Sequence, residues 1–263
     1  MRIALAGNPN CGKTTLYNAL TGKTESAGNW SGVTVEKKAA KLKRKYGAFG
    51  TEIIIVDLPG AYSITPYTAE EAITRDFILE HRPDVIINIV DGANLERSLF
   101  MTTQLLELGI PVVIALNKSD IIQERNDRVD IKRLQAELGC PIISIVATEA
   151  QGLRELIAAA VKAAGKPQRR VTPVFGDEAV LERHKFVEQI AARAIVKGDN
   201  LRRVWLSDSI DRIIANQWIG LPVFFLVMWA VYAFSIEGLG GFLSDYFNET
   251  LFGEVIPSAA DNL

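Results

Sequence analysis

The sequence predicts an α/β fold with a mostly parallel sheet and helices on both faces, followed by a small all-α domain and the start of a transmembrane region. Short apolar, β-branched runs alternate with amphipathic stretches through the first two-thirds of the chain. Strand signals are missing from 177 to about 216, and no charged residue lies between Arg212 and Glu237. The alternation is typical of a buried parallel sheet whose strands are joined by crossover helices.

The elements follow one another in a regular order. The predicted strands are Ile3–Ala6, Ile53–Val56, Val85–Val90, Val112–Leu116 and Ile142–Val146. Apolar residues at helical spacing predict helices at Ala69–Glu80, Leu95–Leu108, Ile131–Leu138 and Leu153–Ala164. Val33–Lys43 alternates apolar with charged residues and predicts an additional edge strand with one solvated face.

Composition changes mark the domain boundaries. Gly, Pro and charge accumulate at Gly165–Arg170, which predicts the end of the first domain, and helical patterns follow at Glu178–Val196 and Asp199–Ala215. The later charge-free stretch is long enough to cross a bilayer, for which about 20 residues are needed; a buried core helix or an amphipathic segment is the alternative. The expected bounds are 1–165 for the first domain, 170–216 for a helical linker domain, 217–237 for a first transmembrane helix and 238–263 for the start of a truncated membrane region.

The overall composition excludes several classes of protein. A formal net charge of -2 argues against nucleic-acid binding as the main function, because such surfaces are usually strongly basic. The two cysteines, Cys11 and Cys140, form no CxxC pair, so neither a disulfide framework nor a zinc site is indicated. A thiol at the start of a helix can be reactive, but packing is the simpler role for Cys11. The composition fits a reducing cytosol.

A phosphate-binding loop is predicted directly after the first strand. The segment reads Gly7-Asn8-Pro9-Asn10-Cys11-Gly12-Lys13-Thr14-Thr15 and opens a helix. In such a loop the backbone N–H groups surround the phosphates and the helix N-terminus adds a favourable dipole. Lys13 is expected to contact the β- and γ-phosphates and the Thr14 hydroxyl to ligate Mg²⁺. The sequence therefore predicts a P-loop nucleotide site.

A second motif, Asp57-Leu58-Pro59-Gly60, follows an apolar strand. Alone it is usually a surface turn, since turns are rich in Asp, Pro and Gly. An acid at the end of a strand beside a P-loop is placed to hold Mg²⁺, usually through water, and the Gly60 N–H can face the γ-phosphate.

A third motif, Asn117-Lys118-Ser119-Asp120, follows the strand Val112–Leu116. A carboxylate at Asp120 can accept hydrogen bonds from N1–H and the exocyclic amine of guanine, a donor pair that adenine lacks. Asn117 and Lys118 are expected to brace the loop and cover the base. The backbone of a weaker element, Val146, Ala147 and Thr148, can reach the base oxygen. GTP and GDP are therefore the expected ligands, and the fold is expected to be that of a Ras-like P-loop GTPase.

The loop between the first two motifs carries the expected switch. Gly32, Val33 and Thr34 lie in a segment of small residues, and Thr34 is the candidate that closes on Mg²⁺ with the γ-phosphate; Thr24 is its competitor. Ala61 follows Gly60, so the glutamine that positions water in many small GTPases is absent at that point. Lys13, Gly60 and Thr34 are the expected catalytic groups, and hydrolysis is expected to be slow or differently organised.

Together the three motifs, with Gly28–Val35 and the Asp57–Ser63 segment, resemble the FeoB-type ferrous iron transporters over the whole chain. The resemblance implies Fe²⁺ uptake across the inner membrane of a prokaryote, with the GTPase domain in the cytoplasm and a linker like a nucleotide-dissociation inhibitor. A small cytoplasmic accessory protein and self-association are partners that it allows, and nucleic acid is not expected. It also implies potassium activation: Asn10 would be catalytic by holding K⁺ against the phosphates, with carbonyls near Gly28–Trp30 completing the shell.

Two other functions are compatible with the motifs. A soluble GTPase of the ribosome-assembly or RNA-modification type carries similar nucleotide motifs, but would not be expected to end in a charge-free, aromatic-rich helix. A binding switch with negligible turnover would differ in single-turnover hydrolysis of GTP with and without Mg²⁺.

Overall fold

The computed structural model describes residues 1–22, 26–29, 36–47, 50, 52–124, 128–168, 172–175, 179–196, 220–235 and 240–241. These residues belong to two compact units, Met1–Asp199 and Asn200–Leu263. The strands of the first unit are β1 (Arg2–Gly7), β2 (Ser26–Asn29), β3 (Glu36–Lys41), β4 (Ile54–Asp57), β5 (Val85–Asp91), β6 (Val112–Asn117), β7 (Arg128–Val129), β8 (Ile142–Ser144) and β9 (Ile195–Val196). Its helices are α1 (Lys13–Thr21), α2 (Ala69–His81), α3 (Leu95–Glu107), α4 (Ser119–Glu124), α5 (Ile131–Leu138), α6 (Leu153–Ala163) and α7 (Val180–Ala194).

Seven strands form one sheet in the order β2-β3-β4-β1-β5-β6-β8. β4, β1, β5, β6 and β8 pair in parallel, while β3 pairs antiparallel with both β4 and β2. The chain passes from β1 to one side of the sheet and later to the other, so the carboxyl end of β1 is the point where the strand order reverses. Ligands of open α/β sheets bind in the crevice at such a point. The predicted mostly parallel α/β fold is confirmed.

The sheet is buried on both faces because its central strands are apolar at nearly every position. In β1, Ala4 and Ala6 face one hydrophobic cluster, and Ile3 and Leu5 face the other. The first cluster includes side chains of α2, α3, α5 and α7, and the second includes side chains of α1 and α6. Burial on both sides explains the continuous apolar runs from which the strands were predicted.

Two pairs of strands involve segments that the sequence pattern did not reveal. β2 starts before the segment 28–35, which was expected to be a loop, and ends inside it. It pairs with β3, which occupies 36–41 of the predicted edge strand 33–43 and is an inner strand because β2 lies outside it. β7 and β9 are two residues each and pair antiparallel, so the predicted helix at 178–196 ends as α7 at Ala194. Two-residue strands are too short to show a period of two, which is why no pattern indicated them.

The linker after α6 belongs to the first unit and packs against the sheet and helices that precede it. Gln168 accepts a hydrogen bond from Val112 N at 2.6 Å and donates to the Gly139 carbonyl at 3.1 Å. Helix α7 contacts α3 and α5. Residues 197–219, including the predicted helix at 199–215, lie outside the described residues.

The second unit is described at one helix and a short segment after it. This helix, α8 (Gly220–Ala233), is uniformly apolar, and its side chains such as Phe225 and Trp229 are exposed. Over the described part of the chain, no helix reaches both the length and the apolar character that crossing a membrane requires. The predicted span 217–237 extends past the described residues at both ends and stays a prediction.

Candidate functional site: a guanine-nucleotide site at the carboxyl edge of the sheet

The P-loop joins the end of β1 to the start of α1. Asn10 and Gly12 adopt left-handed backbone conformations, with φ of 63° and 94°. Backbone turns of this kind aim N–H groups into a concave surface that binds anions. A Cβ on Gly12 would clash with Asn117 Nδ2, at the end of β6, so glycine allows the loop to approach that side chain this closely.

The lysine and the acid of the phosphate end form an ion pair. Lys13 Nζ lies 2.6 Å from Asp57 Oδ1, with both side chains almost completely buried. Thr14 and Thr15 lie exposed in the first turn of α1. The structure therefore brings Lys13, Thr14 and Asp57, the described members of the predicted phosphate and magnesium sites, to the same end of the sheet.

The Asp57–Gly60 motif contacts the P-loop through the backbone. Leu58 N donates to the Leu5 carbonyl at 3.1 Å and Ala61 N donates to the Gly7 carbonyl at 3.2 Å. A Cβ on Gly60 would lie 3.3 Å from the Pro9 backbone. These contacts hold the Gly60 backbone beside the phosphate loop.

Asn117 connects three of the segments that the sequence assigns to the nucleotide. Its Nδ2 donates to the Cys11 carbonyl at 2.9 Å, and its Oδ1 accepts from Ala147 N at 3.1 Å. Ser119 Oγ donates to the Ile145 carbonyl at 3.0 Å. Val146 and Ala147 are buried and Thr148 is exposed. One buried amide thus fixes the P-loop, the Asn117–Asp120 loop and the last loop relative to one another.

Asp120 carries a buried hydrogen-bond acceptor. Its Oδ1 is shielded from solvent and has no hydrogen-bond partner among the described residues. Burying an acceptor without a partner costs about 1–3 kcal/mol. A ligand that donates to this atom removes that cost, which is the chemistry that a guanine N1–H or amine supplies.

Lys118 is fixed by an acid that the sequence analysis did not single out. Its backbone is left-handed, with φ of 62°, and its Nζ lies 2.8 Å from Asp91 Oδ2. Burial alone would raise the pKa of Asp91, but hydrogen bonds from Lys118, Asn94 and Ala93 outweigh it and hold the pKa below its usual value. Asp91 is the last residue of β5, the strand that pairs with β1. Asp57 was predicted from its position at the end of a strand, and the same criterion applied to β5 would also have predicted Asp91.

The segment after Gly60 is held by two side chains that were likewise missed. Glu71 caps α2 and accepts from the N–H groups of Ser63, Tyr67 and Thr68 at 3.1–3.2 Å. Gln104, from α3, accepts from Ile64 N at 2.9 Å. The sequence spacing alone could have indicated the capping box of Thr68 with Glu71, whereas the contact from Gln104 requires the fold.

Several predicted residues lie outside the described residues. They are Trp30, Gly32, Val33 and Thr34, together with the competitor Thr24. The backbone of Gly28 lies in β2. The role of Thr34 therefore stays a prediction.

Cys11 is a packing residue. Its side chain is 1% exposed, and burial raises the pKa of its thiol to about 11, in spite of the lowering effect of Lys13. Burial thus favours the protonated thiol, which supports the packing role of Cys11 over that of a reactive thiolate.

The chain matches known proteins over this same region. The family model for ferrous iron transport protein B matches residues 1–160. The Fe(2+) transporter FeoB of Escherichia coli (strain K12) is 48% identical over 163 residues, which are 59% of this chain and 20% of that protein. The Salmonella typhimurium protein of the same name is 46% identical over the same length. The chain thus spans about a fifth of the length of the curated relatives it matches.

Solved structures agree with the sequence matches. The cytosolic domain of L. pneumophila FeoB superposes with a TM-score of 0.65 at 31% identity, covering 75% of this chain and 100% of that one. The GMPPNP form of the cytosolic domain of T. maritima FeoB gives a TM-score of 0.68 at 26% identity, with the same coverage. A GDP-bound point mutant of S. thermophilus NFeoB gives a TM-score of 0.61 at 31% identity, covering 73% and 88%. The chain therefore belongs to the ferrous iron transport protein B family and contains its N-terminal domain with the P-loop GTPase fold.

Proposed function

We propose that this chain is the nucleotide switch of a ferrous iron transporter: it binds GTP and GDP, hydrolyses GTP with Mg²⁺, and changes conformation to drive or gate Fe²⁺ uptake. The observation that carries the proposal is the buried Asp120 Oδ1, which has no partner among the described residues. It lies in the loop that Asn117 ties to the P-loop, so a base acceptor and a phosphate cradle belong to one rigid arrangement. Family membership removes the support for a ribosome-assembly or RNA-modification function.

Guanine selectivity follows from the chemistry of that acceptor. Guanine presents N1–H and an exocyclic amine to a carboxylate, whereas adenine at the same position leaves the buried acceptor unpaired. Lys118 is held by Asp91 with its aliphatic stem available to cover the base. The loop that contains Ala147 is hydrogen-bonded to Asn117, and its backbone is the proposed contact for the base oxygen.

At the phosphate end, binding of a nucleotide would require Lys13 and Asp57 to exchange each other for new partners. Lys13 contacts Asp57 in the structure, and a triphosphate in the P-loop would compete for its ammonium group. Asp57 would then be free to hold Mg²⁺, usually through water, together with the Thr14 hydroxyl and with Thr34 from the switch loop. The hydroxyl and carboxylate oxygens present fit a hard cation. When bound, Mg²⁺ neutralises charge on the transferring phosphoryl group.

Hydrolysis would use positioned groups rather than a side-chain base. Ala61 takes the place of the water-positioning glutamine, and the Gly60 N–H is held beside the P-loop for the γ-phosphate. Asn10, exposed in the loop, is the group that would hold K⁺ there with carbonyls near Gly28 and Trp30. Such a cation would supply the electrostatic stabilisation that an arginine finger provides elsewhere. Equal hydrolysis rates in potassium and sodium buffers would remove this part of the proposal.

The experiment that tests the proposal compares nucleotides on wild-type protein and Asp120→Asn. We expect the wild type to bind GTP and not ATP, and the variant to lose a few kcal/mol of GTP affinity, because the ionised acceptor is gone. Xanthosine triphosphate carries a carbonyl where guanine carries its amine, so the amide introduced by Asp120→Asn should favour that nucleotide over GTP. Titration calorimetry with Mg²⁺ measures all three. Unchanged GTP affinity in the variant, or equal wild-type binding of ATP, would contradict the assignment.

The proposed membrane role concerns the chain from 170 onward. We propose that 217–237 is the first transmembrane helix, that 170–216 is a helical linker, and that the iron path lies mostly in the remaining length of such proteins. The location would be the inner membrane of a prokaryote, with the nucleotide domain in the cytoplasm. A fragment ending at Asn216 should stay folded, soluble and able to bind GTP. Aggregation of that fragment beside a well-behaved longer chain would place the boundary elsewhere.

A further inference from the structure

We propose that Arg97 is a positioning residue for GTP hydrolysis and that it forms, with Tyr62, a latch holding the Gly60–Ala61 segment against the P-loop. This inference deepens the proposed function and rests on it. The Arg97–Tyr62 pair is hereafter called the latch.

The latch is a cation–π contact between two segments distant in sequence. The Arg97 guanidinium carbon lies 4.3 Å from the centroid of the Tyr62 ring. A guanidinium within about 6 Å of an aromatic face is attracted by the ring quadrupole. Arg97 belongs to the first turn of α3, and Tyr62 comes two residues after Gly60. The contact therefore ties α3 to the segment that is expected to sense the γ-phosphate.

The α3 side of the latch is itself attached to the P-loop. Asn8 Nδ2 donates to the Arg97 carbonyl at 3.1 Å, and Asn8 is buried. Ser98 Oγ accepts from Asp91 N at 3.3 Å, so the same turn is also fixed to the end of β5. The position of the Arg97 backbone is thus determined by the loop that binds phosphate.

The Tyr62 side of the latch lies between two backbone attachments. Ala61 N donates to the Gly7 carbonyl at 3.2 Å, and Ser63 N donates to Glu71 Oε1 at 3.2 Å. Tyr62 has 41% of its surface exposed, so its ring is held mainly from the side that Arg97 covers. Removing the guanidinium would loosen the tyrosine and, with it, the adjoining Gly60–Ala61 backbone.

The latch matters because this chain has Ala61 where a glutamine would otherwise orient water. Stabilisation of the transition state then depends more on fixed backbone donors, which act without reorganisation only while they are held in place. Within the described part of the chain, Arg97 contacts Tyr62 through its side chain and Asn8 through its backbone, at the phosphate end of the site. Loss of the latch should accordingly lower kcat and leave the KM for GTP close to its wild-type value.

The test measures steady-state GTP hydrolysis by the full chain in Mg²⁺ and potassium buffer. Arg97→Ala and Tyr62→Leu should each lower kcat by about two- to fivefold, the size expected for one exposed cation–π contact. Arg97→Lys and Tyr62→Phe should keep most of the activity, because each preserves a cation over a ring. The double variant Arg97→Ala/Tyr62→Leu should be no slower than either single variant, since both remove the same contact. Glu96→Ala, an exposed neighbour in the same turn, is the control and should match wild type.

Three outcomes would overturn the latch. They are an unchanged kcat in Arg97→Ala, additive losses in the double variant, and a loss in Arg97→Ala that Tyr62→Leu does not reproduce. If Arg97→Ala proved unfolded, the comparison of Arg97→Gln with Arg97→Lys decides in its place, since only the lysine retains the cation. A wild-type chain that hydrolyses no GTP would overturn the latch and the proposed function together, whereas normal wild-type turnover with any of the three outcomes overturns the latch alone.

Discussion

The two halves of the candidate nucleotide site differ in how their functional groups are held. The base half comprises Asn117–Asp120, Val146–Thr148 and Asp91, and the phosphate half comprises Gly7–Thr15 and Asp57–Gly60. In the base half, the Asn117 amide and the Lys118 ammonium group already contact their supporting partners, and Asp120 Oδ1 has no partner among the described residues. In the phosphate half, Lys13 and Asp57 contact each other.

This difference indicates which step of ligand binding involves rearrangement. In the base half, no hydrogen bond of Asp120 Oδ1 to the described residues would have to be broken for it to accept from guanine. The phosphate half must separate a nearly buried ion pair before its lysine can contact phosphate. A change that depends on the γ-phosphate is thus expected at the Asp57 end and not at the base end.

The largest expected effect tests the phosphate half. Lys13→Ala should lower kcat for GTP by about 100- to 1,000-fold, because a charge directed at the phosphates is lost where solvent is excluded. Steady-state hydrolysis with Mg²⁺ measures it, with Lys132→Ala on the exposed face of α5 as the control. Hydrolysis close to the wild-type rate would mean that the Lys13–Asp57 pair is purely structural.

An intermediate effect tests whether the base half is preorganised. Asn117→Ala leaves the Cys11 carbonyl and the Ala147 N–H without their partner, and we expect the free energy of unfolding to fall by about 2–4 kcal/mol. Urea denaturation of the nucleotide-free protein measures the loss. Asn18→Ala, exposed on α1, is the matched control and should change little. A loss as small as that of the control would show that the base half is assembled by the ligand.

The smallest effect concerns the Lys118–Asp91 pair, whose lysine is partly exposed. Lys118→Ala should cost about 1 kcal/mol of stability at neutral pH. The pKa of Asp91 is lowered in the folded protein. The stabilisation from the Lys118–Asp91 pair is therefore present above the ordinary aspartate pKa of about 3.9 and is lost as the pH falls through the lower pKa of the folded state.

Denaturation at several pH values checks the sign of this dependence. The difference between wild type and Lys118→Ala should hold from about pH 7 to about pH 5 and shrink in more acid solution. Arg133→Ala, which removes an exposed contact with Glu137, should show a smaller difference throughout. A difference that grows toward low pH would mean that another group, and not Asp91, supports Lys118.

Much of the site was predictable because its motifs depend on residue type at fixed spacing after a strand. Lys13, Asp57 and Asn117 each follow or end a parallel strand, and the carboxyl ends of these strands meet at one edge. Asp91 satisfies the same rule and could have been found by applying it to every strand. Gln104 and Arg97 could not have been found in this way. Both lie inside the predicted helix Leu95–Leu108, where helical spacing is compatible with a surface or a core position for either residue.

The amino-acid sequence by itself determined the order of the motifs along the chain, the phosphate loop, the acid that is expected to select guanine and the absence of a glutamine after Gly60. These features are local, because the chemistry of each motif can be inferred from a few consecutive residues. Only the tertiary structure decided which groups pair: Lys118 with Asp91, 27 positions away, and Asn117 with Cys11, 106 positions away. The physical reason is that no periodicity along the chain records such pairs, which arise where the closely packed sheet brings distant strand ends together.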